Sequence, residues 1–428
     1  MIKSLDSRQK SKSDWLRYGD EMRRPLLVNP DFDKSNKIVI VGGGLSGLCC
    51  AYRIAEKRPD IEIVVLEKNS CLGGVIKTWR DGEWICDVAV NAARPHPSFW
   101  RLVQDLGLSD SFKSSNPKAK ARWILINDVP HKLSFLSLFK IGPFKLWRSV
   151  SKSRLGGQSV ADTIPNAEIS DALCLGIVND RASNVDADFL IPSITGFGAR
   201  PPLPQILLNR KIKSTYPIFT PKNGTLASFS DGMSELIRAL NEKLESLDNV
   251  TIKLNSKASS VDEVAREFQI PQSSVVWSAP GKLIDGGKTE ISVFAIGYHK
   301  SQVNHIELGY GTLIPDEKYP ISGILHESDC HRSKRCPEDY RLFRLMVPHT
   351  RWNQSNDSVL SCAEQLLAAK PAIFSCIGTQ KIPTYKPGHM QNIKQTTLDC
   401  TYVGWGVSGV SITHLVAEAE RLAESLKV

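Results

Sequence analysis

The first strong hydrophobic pattern lies in the stretch KIVIVGGGLSGLCCAYRIAEKRPDIEIVVLE, residues 37–67. Its opening run, KIVIV, is continuously apolar and ends in glycine, which is typical of a buried parallel strand. The segment GLCCAYRIAEK that follows predicts a helix, and Pro59 closes it. A second apolar run, IEIVVLE, ends at Glu67. The pattern therefore predicts a strand, a helix and a second strand of an α/β domain.

Helical spacing returns twice later in the chain. One predicted helix carries apolar residues at Met233, Leu236, Ile237, Leu240, Leu244 and Leu247, and the strand VTIKL follows it. SSVVWSAP is a further short buried strand, and the C-terminal YVGWGVSGVSITHL leads through glycines into a last helix. These late returns to the same kind of element predict that the first domain is discontinuous in sequence.

Composition and charge limit the kinds of partner that this protein is expected to bind. No apolar run approaches the roughly 20 residues that a membrane-spanning helix needs. The net charge of +9 favours an anionic surface or an anionic substrate, and no basic stretch with regular aromatics indicates nucleic acid. The ten cysteines form no CxxC pair, so we expect reduced thiols. DCHRSKRC, at 329–336, lacks a fourth ligand at a metal-binding spacing, so no metal is predicted.

The glycines after the first strand carry the first candidate chemistry. Gly42, Gly44 and Gly47 form G-x-G-x-x-G, in which the glycines permit a tight turn, an approach to pyrophosphate and close helix packing. The phosphates are expected at the N-terminus of the following helix. Glu67 follows Gly47 by 67 − 47 = 20 residues, where a carboxylate binds ribose hydroxyls and repels a 2′-phosphate. The stretch therefore predicts a dinucleotide site.

Gly73 and Gly74 select among the dinucleotides. The continuation KNSCLGGVIKTW after Glu67 resembles the E-x5-G-G segment of the flavin-binding amine-oxidase superfamily, in which the second glycine pair passes close to FAD. The alternative is an ordinary glycine turn.

Four further segments resemble the protoporphyrinogen oxidase family. KIPTYKPGHMQNI is similar to its I-P-x-Y-x-x-G-H segment, LGYGTLIPD to its G-[FY]-G-x-L-x-P segment, and ISGILHES to the strand after that. The last forty residues resemble its G-x4-G-V-S loop and closing helix. The likeness runs in order from about residue 37 to the end, motif by motif.

The resemblance implies an α/β fold with a glutathione-reductase-like, Rossmann-like FAD domain, a mixed-sheet substrate domain and a mainly helical membrane-associated domain. The expected boundaries are a flexible extension at 1–36, FAD-binding parts at 37–115, 223–287 and 396–428, a membrane-associated and pocket region at 116–222, and the substrate domain at 288–395.

The resemblance also implies the reaction. In the family, hydride passes from protoporphyrinogen IX to FAD, and O2 reoxidises the flavin, so no catalytic side chain is assigned. The substrate-binding residues that the resemblance implies are Arg122, Gly176, Tyr310, Gly311, Thr312 and Leu313. The cofactor-binding residues are Gly42, Gly43, Gly44, Leu45, Ser46, Gly47, Glu67, Lys68, Gly73, Gly74, Val250, Gly404, Gly409, Val410 and Ser411.

The stretch PHKLSFLSLFKIGPFKLWRSVSKSR, at 130–154, interleaves aromatic and basic residues. It suits an anionic bilayer surface, or else a solvated basic face that covers the core. The resemblance implies peripheral attachment to the mitochondrial inner membrane and a homodimer, although the acidic residues in the first 36 positions argue against a cleavable presequence.

The sequence departs from the family in three places. The family's E-L-G-P-R segment is here DVAVN, with Ala89 and Asn91 in place of a glycine and an arginine near the flavin, and Leu175 replaces a basic residue. These departures leave two alternatives open. One is a catalytically weak or inactive relative that binds FAD or porphyrin, and the other is a different flavin oxidase such as an amine oxidase.

Overall fold

The computed structural model describes residues 11–133, 143–216, 226–280 and 287–427. The strands are β1 (Lys37–Val41), β2 (Glu62–Leu66), β3 (Thr78–Asp81), β4 (Trp84–Asp87), β5 (Phe112–Ser114), β6 (Arg122–Ile126), β7 (Val129–Lys132), β8 (Ala227–Phe229), β9 (Val250–Lys253), β10 (Val275–Trp277), β11 (Gly287–His299), β12 (Gly311–Leu313), β13 (Gly323–Leu325), β14 (Tyr340–Pro348), β15 (Ile373–Thr384) and β16 (Thr401–Tyr402). The helices are α1 (Lys12–Tyr18), α2 (Leu45–Lys57), α3 (Pro97–Asp105), α4 (Pro143–Ser153), α5 (Val160–Thr163), α6 (Ala167–Val178), α7 (Ala187–Leu190), α8 (Pro192–Thr195), α9 (Gln205–Thr215), α10 (Ser234–Glu245), α11 (Val261–Glu267), α12 (Glu327–Cys330), α13 (Asn356–Leu367), α14 (His389–Gln395), α15 (Trp405–Ser408) and α16 (Ile412–Ser425).

A parallel sheet in the order β16-β10-β1-β2-β9 forms the first layer. β1 lies at its centre and pairs with β2 from Lys37 opposite Glu62 to Val41 opposite Leu66. Both strands are buried because helices cover the sheet, and α2 packs against α10 and α16 on one face. The sheet therefore joins three separate stretches of the chain, and it confirms the predicted Rossmann-like α/β class.

A second sheet is mixed, in the order β15-β11-β14-β13-β12-β6-β7. β12 runs parallel to β6, whereas the other neighbouring strands are antiparallel. Phe294 and Phe343 lie in its apolar core, and α13 packs there through Val359 and Ala363. The sheet is mixed, as the fold class predicts, but it also takes β6 and β7 from the region expected at 116–222, and its role in binding substrate stays a prediction.

Short helices fill the region between β7 and β8. α5 and α6 share a small apolar core with Val160, Cys174 and Val178. Within the described part of the chain, no helix combines the length and the apolar character needed to cross a membrane.

Residues 11–36 correct the expectation of a flexible extension. α1 and the 3-10 helix Gly19–Arg23 pack on the first domain, and Trp15, Tyr18 and Met22 are buried there beside α9 and α16. These three apolar side chains recur at helical spacing, a signal that the many surrounding charges obscured. Residues 1–10 lie outside the described residues.

Candidate cofactor and substrate site

The first glycine loop has the geometry that its sequence predicts. Gly42 adopts φ +112°, which a glycine takes without strain. A Cβ on Gly47 would lie 2.0 Å from the carbonyl oxygen of Gly42, so only glycine lets α2 begin this close to β1. The hydroxyl of Ser278 donates to the carbonyls of Val41 and Gly42 at 2.8 and 3.1 Å and fixes the turn.

Glu67 is held at the carboxyl edge of the parallel sheet. Its Oε2 accepts the Gly43 N–H at 2.8 Å, and its Oε1 accepts the backbone and side-chain nitrogens of Asn69 at 2.8 and 2.7 Å. Oε1 therefore has both lone pairs occupied, whereas Oε2 keeps one for a ribose hydroxyl. The neighbouring Lys68 is exposed.

The second glycine pair lies directly against the first loop. Gly73 donates to the Gly43 carbonyl at 2.8 Å, and Gly73 and Gly74 have φ of +101° and +60°. A Cβ on Gly74 would lie 3.4 Å from the Cα of Gly44. Side chains here would fill the space over the loop, so the pair provides the close backbone approach that a dinucleotide requires.

The residues around the N-terminus of α2 fit FAD. Ser46, in the first turn, has a buried hydroxyl with no hydrogen-bond partner among the described residues. A Cβ on Gly404 would lie 3.8 Å from that hydroxyl, so the C-terminal glycine loop meets the first loop here. A free donor, an open helix N-terminus and the Glu67 carboxylate together suit a diphosphate joined to an unphosphorylated ribose.

The C-terminal glycine loop is braced from α16. Gly404 and Gly409 have φ of +112° and +98°, and Val410 and Ser411 lead from them into the helix. The Gly404 N–H donates to Oε2 of Glu418 at 2.7 Å. Burial raises the pKa of Glu418 to about 8, so this carboxyl is mostly protonated at neutral pH.

The position of Val250 contradicts its predicted contact with the cofactor. It pairs with Ile63 at the start of β2, whereas Glu67 lies just past the end of that strand. Ligands of parallel sheets bind at the carboxyl ends of the strands, and the chain beside Glu67 there is Ser256, whose N–H donates to the Glu67 carbonyl at 2.8 Å. Val250 is therefore at the opposite end of the sheet.

The predicted substrate residues come together on β6, β12 and α6. Arg122 pairs with Gly311 in the sheet, and its guanidinium carbon lies 4.4 Å from the ring centroid of Tyr310. A Cβ on Gly176 would lie 3.5 Å from Leu313 Cδ2, so α6 faces the end of β12. Thr312 lies between these contacts, half-buried. Whether these residues bind substrate stays a prediction.

The DVAVN segment departs from the family without backbone strain, because Ala89 is not among the described residues with positive φ. Asn91 is buried, and its Oδ1 lies 3.0 Å from His331 Nε2. Burial opposes a charge on His331, but Cys330 and Glu327 raise its pKa to about 9. Sequence reasoning considered this histidine only as a metal ligand in DCHRSKRC, whereas the structure places it beside Asn91 with a raised pKa.

His331 belongs to a buried ion-pair cluster with Asp87, Glu327, Arg335 and Arg344. Oxygens of Asp87 and Glu327 and a nitrogen of His331 lie within 4.8 Å of one another, a spacing that would suit a metal. However, Arg335 lies 3.6 Å from Asp87 and Arg344 lies 3.7 Å from Glu327, so arginines compensate both carboxylates. Burial opposes ionisation, yet Arg344 and His331 lower the pKa of Glu327 to about 2. Burial also raises the pKa of Asp87, against the effect of Arg335. The cluster is thus a buried network of acidic and basic side chains that joins the two domains.

Comparison with known proteins defines the class. Residues 40–106 match the NAD(P)-binding Rossmann-like domain family. The chain superposes on a crystal structure from Exiguobacterium sp., whose proposed identity is protoporphyrinogen oxidase, with a TM-score of 0.64 and 18% identity over 91% of this chain and 98% of that one. Cyclohexylamine oxidase from Brevibacterium oxydans superposes with a TM-score of 0.61 and 12% identity over 91% and 98%. The chain therefore shares the fold of these two proteins, and the glycine loops described above support FAD as the cofactor.

The relatives found by sequence comparison include protoporphyrinogen oxidases. Protoporphyrinogen oxidase 1 of Arabidopsis thaliana is 36% identical over 109 residues, which are 24% of this chain and 20% of the relative. Protoporphyrinogen oxidase of Oryza sativa is 28% identical over 55% of this chain and 50% of the relative, so the match spans at most half of these plant proteins. Coproporphyrinogen III oxidase of Bacillus subtilis is 23% identical over 89% of this chain and 94% of its own length. These matches confirm the resemblance to protoporphyrinogen oxidases.

Proposed function

We propose that this chain is an FAD-dependent oxidase that converts protoporphyrinogen IX to protoporphyrin IX with O2 as the electron acceptor. The observation that carries the proposal is the placement of the predicted substrate residues along β12, where Arg122 stacks on Tyr310 at the start of the strand and Leu313 faces Gly176 of α6 at its end. Segments that are far apart in the chain thus place one cation and an apolar side chain beside the same strand. A flat apolar macrocycle with carboxylate side chains requires this combination.

The protein's part in the reaction is to bind and orient the substrate. A bound flavin supplies the hydride acceptor. The exposed guanidinium of Arg122 can pair with a propionate through two parallel N–H bonds, and stacking on Tyr310 holds its plane. A Cβ on Gly176 would lie 3.5 Å from Leu313, so a larger side chain at this position would press on that predicted substrate residue.

The cluster around Asn91 bears on the two alternatives. A polyamine oxidase would require acidic residues along its substrate tunnel, whereas Asp87 and Glu327 are already paired with arginines. The replacement of the family's arginine by Asn91 argues for an inactive relative. However, His331 lies next to Asn91, and its raised pKa favours a positive charge there. Both observations favour an active porphyrinogen oxidase.

The proposal includes peripheral attachment to an anionic membrane, with the mitochondrial inner membrane as the proposed location. On α4, Phe144 and Trp147 are 72% and 65% exposed, beside Lys145 and Arg148. Exposed aromatics flanked by cations are typical of an interfacial helix. The predicted basic patch also includes Phe135, Leu136, Phe139 and Lys140, which lie outside the described residues. The homodimer stays a prediction.

A single anaerobic titration tests the function. Purified protein with its flavin spectrum recorded would receive protoporphyrinogen without oxygen, and then air. We expect the flavin to bleach and to recover with air as porphyrin fluorescence appears. A parallel sample with coproporphyrinogen, which carries additional propionates, reports which porphyrinogen is preferred. A flavin that bleaches with a diamine and with neither porphyrinogen would establish the amine oxidase, and one that never bleaches would establish the inactive relative.

A further inference from the structure

A surface cleft of about 550 Å³ lies beside the mixed sheet, between the 3-10 turn that follows β11 and the loop from α12 to β14. That loop contains DCHRSKRC, most of which the proposed function does not use. The volume falls within the range of roughly 300–1,000 Å³ found for small-molecule sites. None of the predicted substrate-binding residues lines the cleft, so it is distinct from the wall along β12.

The lining of the cleft is rich in basic residues, and most of them are already paired. The four pairs are Arg341 with Asp329, Lys334 with Glu83, Arg335 with Asp87, and His331 with Glu327. Lys300 and Arg332 differ, because neither forms an ion pair with a carboxylate within the described ranges. Glu338 is the one carboxylate of the lining left to balance these two cations.

Both cations are available to a ligand. Arg332 is exposed, and its planar fork can bind a carboxylate through two parallel N–H bonds. Lys300 has three N–H donors and uses one of them on the backbone carbonyl of Glu338. A carboxylate would therefore displace no ion pair when it binds to either side chain.

An apolar side of the cleft adjoins these cations. Leu308 is 51% exposed, and the half-buried Ile306 and Tyr340 also line the cleft. The ring of Tyr340 packs edge-on against Trp84, with 5.4 Å between the ring centroids, so its position is fixed. Cations beside exposed apolar atoms suit a ligand that carries carboxylates on an apolar body.

We propose that this cleft is a second tetrapyrrole site, in which Lys300 and Arg332 bind the propionates of a porphyrin and Leu308, Ile306 and Tyr340 contact its macrocycle. The choice of a porphyrin rests on the proposed function, because protoporphyrin IX is the product of that reaction. The requirement for carboxylates rests on the cleft itself. A second site would keep the apolar product on the protein after it leaves the substrate wall.

The test is a titration of the FAD-loaded protein with protoporphyrin IX, followed by the shift of its main absorption band. The cleft variant is Lys300→Gln with Arg332→Gln, and both positions are exposed, so the core stays intact. The control is Arg238→Gln with Lys243→Gln on α10, which changes the net charge equally at residues that do not line the cleft.

We expect wild type and the control to bind two equivalents of protoporphyrin IX. The cleft variant should bind the second equivalent roughly 10- to 100-fold more weakly, through the loss of charge-assisted contacts. Its KM for porphyrinogen should stay at the wild-type value. Arg122→Ala should weaken the other equivalent and leave the cleft occupied.

The outcomes separate this inference from the proposed function. Wild-type porphyrin binding in the cleft variant, or an equal loss in the control, would overturn the inference and leave the function standing. A single wild-type equivalent that only Arg122→Ala weakens would do the same. A wild type that neither binds porphyrin nor oxidises porphyrinogen would overturn both.

Hydrogen exchange checks where the second equivalent binds. Protoporphyrin IX should slow exchange in residues 331–341 of wild type and of Arg122→Ala, beyond any slowing in α13, but not in the cleft variant. Unchanged exchange in that loop with two equivalents bound would place the second porphyrin elsewhere and overturn the inference.

Discussion

The side-chain oxygen of Asn91 lies 3.0 Å from Nε2 of His331, although the two residues are 240 positions apart in the chain. With the amide turned over, its nitrogen donates to Glu327 at 3.0 and 3.1 Å and to the same imidazole nitrogen at 3.0 Å. Only the turned orientation bonds the amide to the Glu327 carboxylate, and in both orientations the buried His331 of the other domain lies next to the position of the family's arginine.

Because of His331, the protein should become less stable at alkaline pH. Its folded pKa of about 9 exceeds the ordinary value of 6.5, so its stabilisation is complete below pH 6.5 and is lost as pH rises through 9. That shift corresponds to about 3 kcal/mol at most. Urea unfolding at pH 6, 7.5 and 9.5 should show this loss in wild type and in the exposed control His131→Gln, but not in His331→Gln. Parallel curves for wild type and His331→Gln would contradict it.

Glu418, like His331, should make the protein less stable as pH rises, but over a lower pH range. Its folded pKa of about 8 lies above the ordinary 4.5, so the free energy of unfolding falls as pH rises from 4.5 to 8. Glu418→Gln keeps an acceptor for the Gly404 N–H and carries no charge. The free energy of unfolding of Glu418→Gln, measured by thermal unfolding, should therefore increase relative to that of wild type as pH rises from 5 to 8. The difference should reach a few kcal/mol at pH 8. A constant difference between the two proteins would argue that Glu418 is ionised throughout.

Local signals in the sequence predicted the geometry of the first glycine loop and the position of Glu67. Gly42, Gly47 and Glu67 act within one strand-helix-strand unit, so their spacing alone fixes their geometry. Val250 was misplaced because a strand's ends, and its register against β2, cannot be read from its own residues. The Asn91–His331 contact was unreadable for a related reason, since it depends on how two domains pack.

Gly74→Ala should block FAD binding. Gly74 has φ +60°, and an added Cβ would lie 3.4 Å from Gly44 Cα, over the first loop. Gly82 is the matched control, because it has φ +54° in the β3–β4 turn and an added Cβ meets nothing within 4 Å. Both alanine variants should lose about 1 kcal/mol from the positive φ. Fluorescence titration should find weaker FAD binding in Gly74→Ala only, and equal affinities would show that the second glycine pair does not approach the cofactor.

The membrane proposal predicts a loss of liposome binding on replacing Phe144 and Trp147 by serine. These side chains are 72% and 65% exposed, and their burial at the headgroup level would supply most of the apolar contact of α4. Leu308→Ser, at a 51% exposed position of the substrate domain, is the control. In flotation with anionic liposomes we expect the double variant to stay at the bottom of the gradient while the control rises. If the double variant floats like wild type, α4 is not the anchor.

Substitutions at Gly176 should show whether this part of α6 lines the substrate site or is an ordinary helix surface. It lies within α6, exposed, and a Cβ there would make ordinary contact with Leu313 at 3.5 Å. Gly176→Ala should therefore raise the free energy of unfolding by about 0.5–1 kcal/mol through helix propensity and leave the KM for porphyrinogen nearly unchanged. Gly176→Val adds two methyl groups that must enter the space beside Leu313, so we expect KM to rise about tenfold with little change in the flavin spectrum. Steady-state porphyrin fluorescence measures both variants, and a valine variant with wild-type KM would remove Gly176 and Leu313 from the substrate wall.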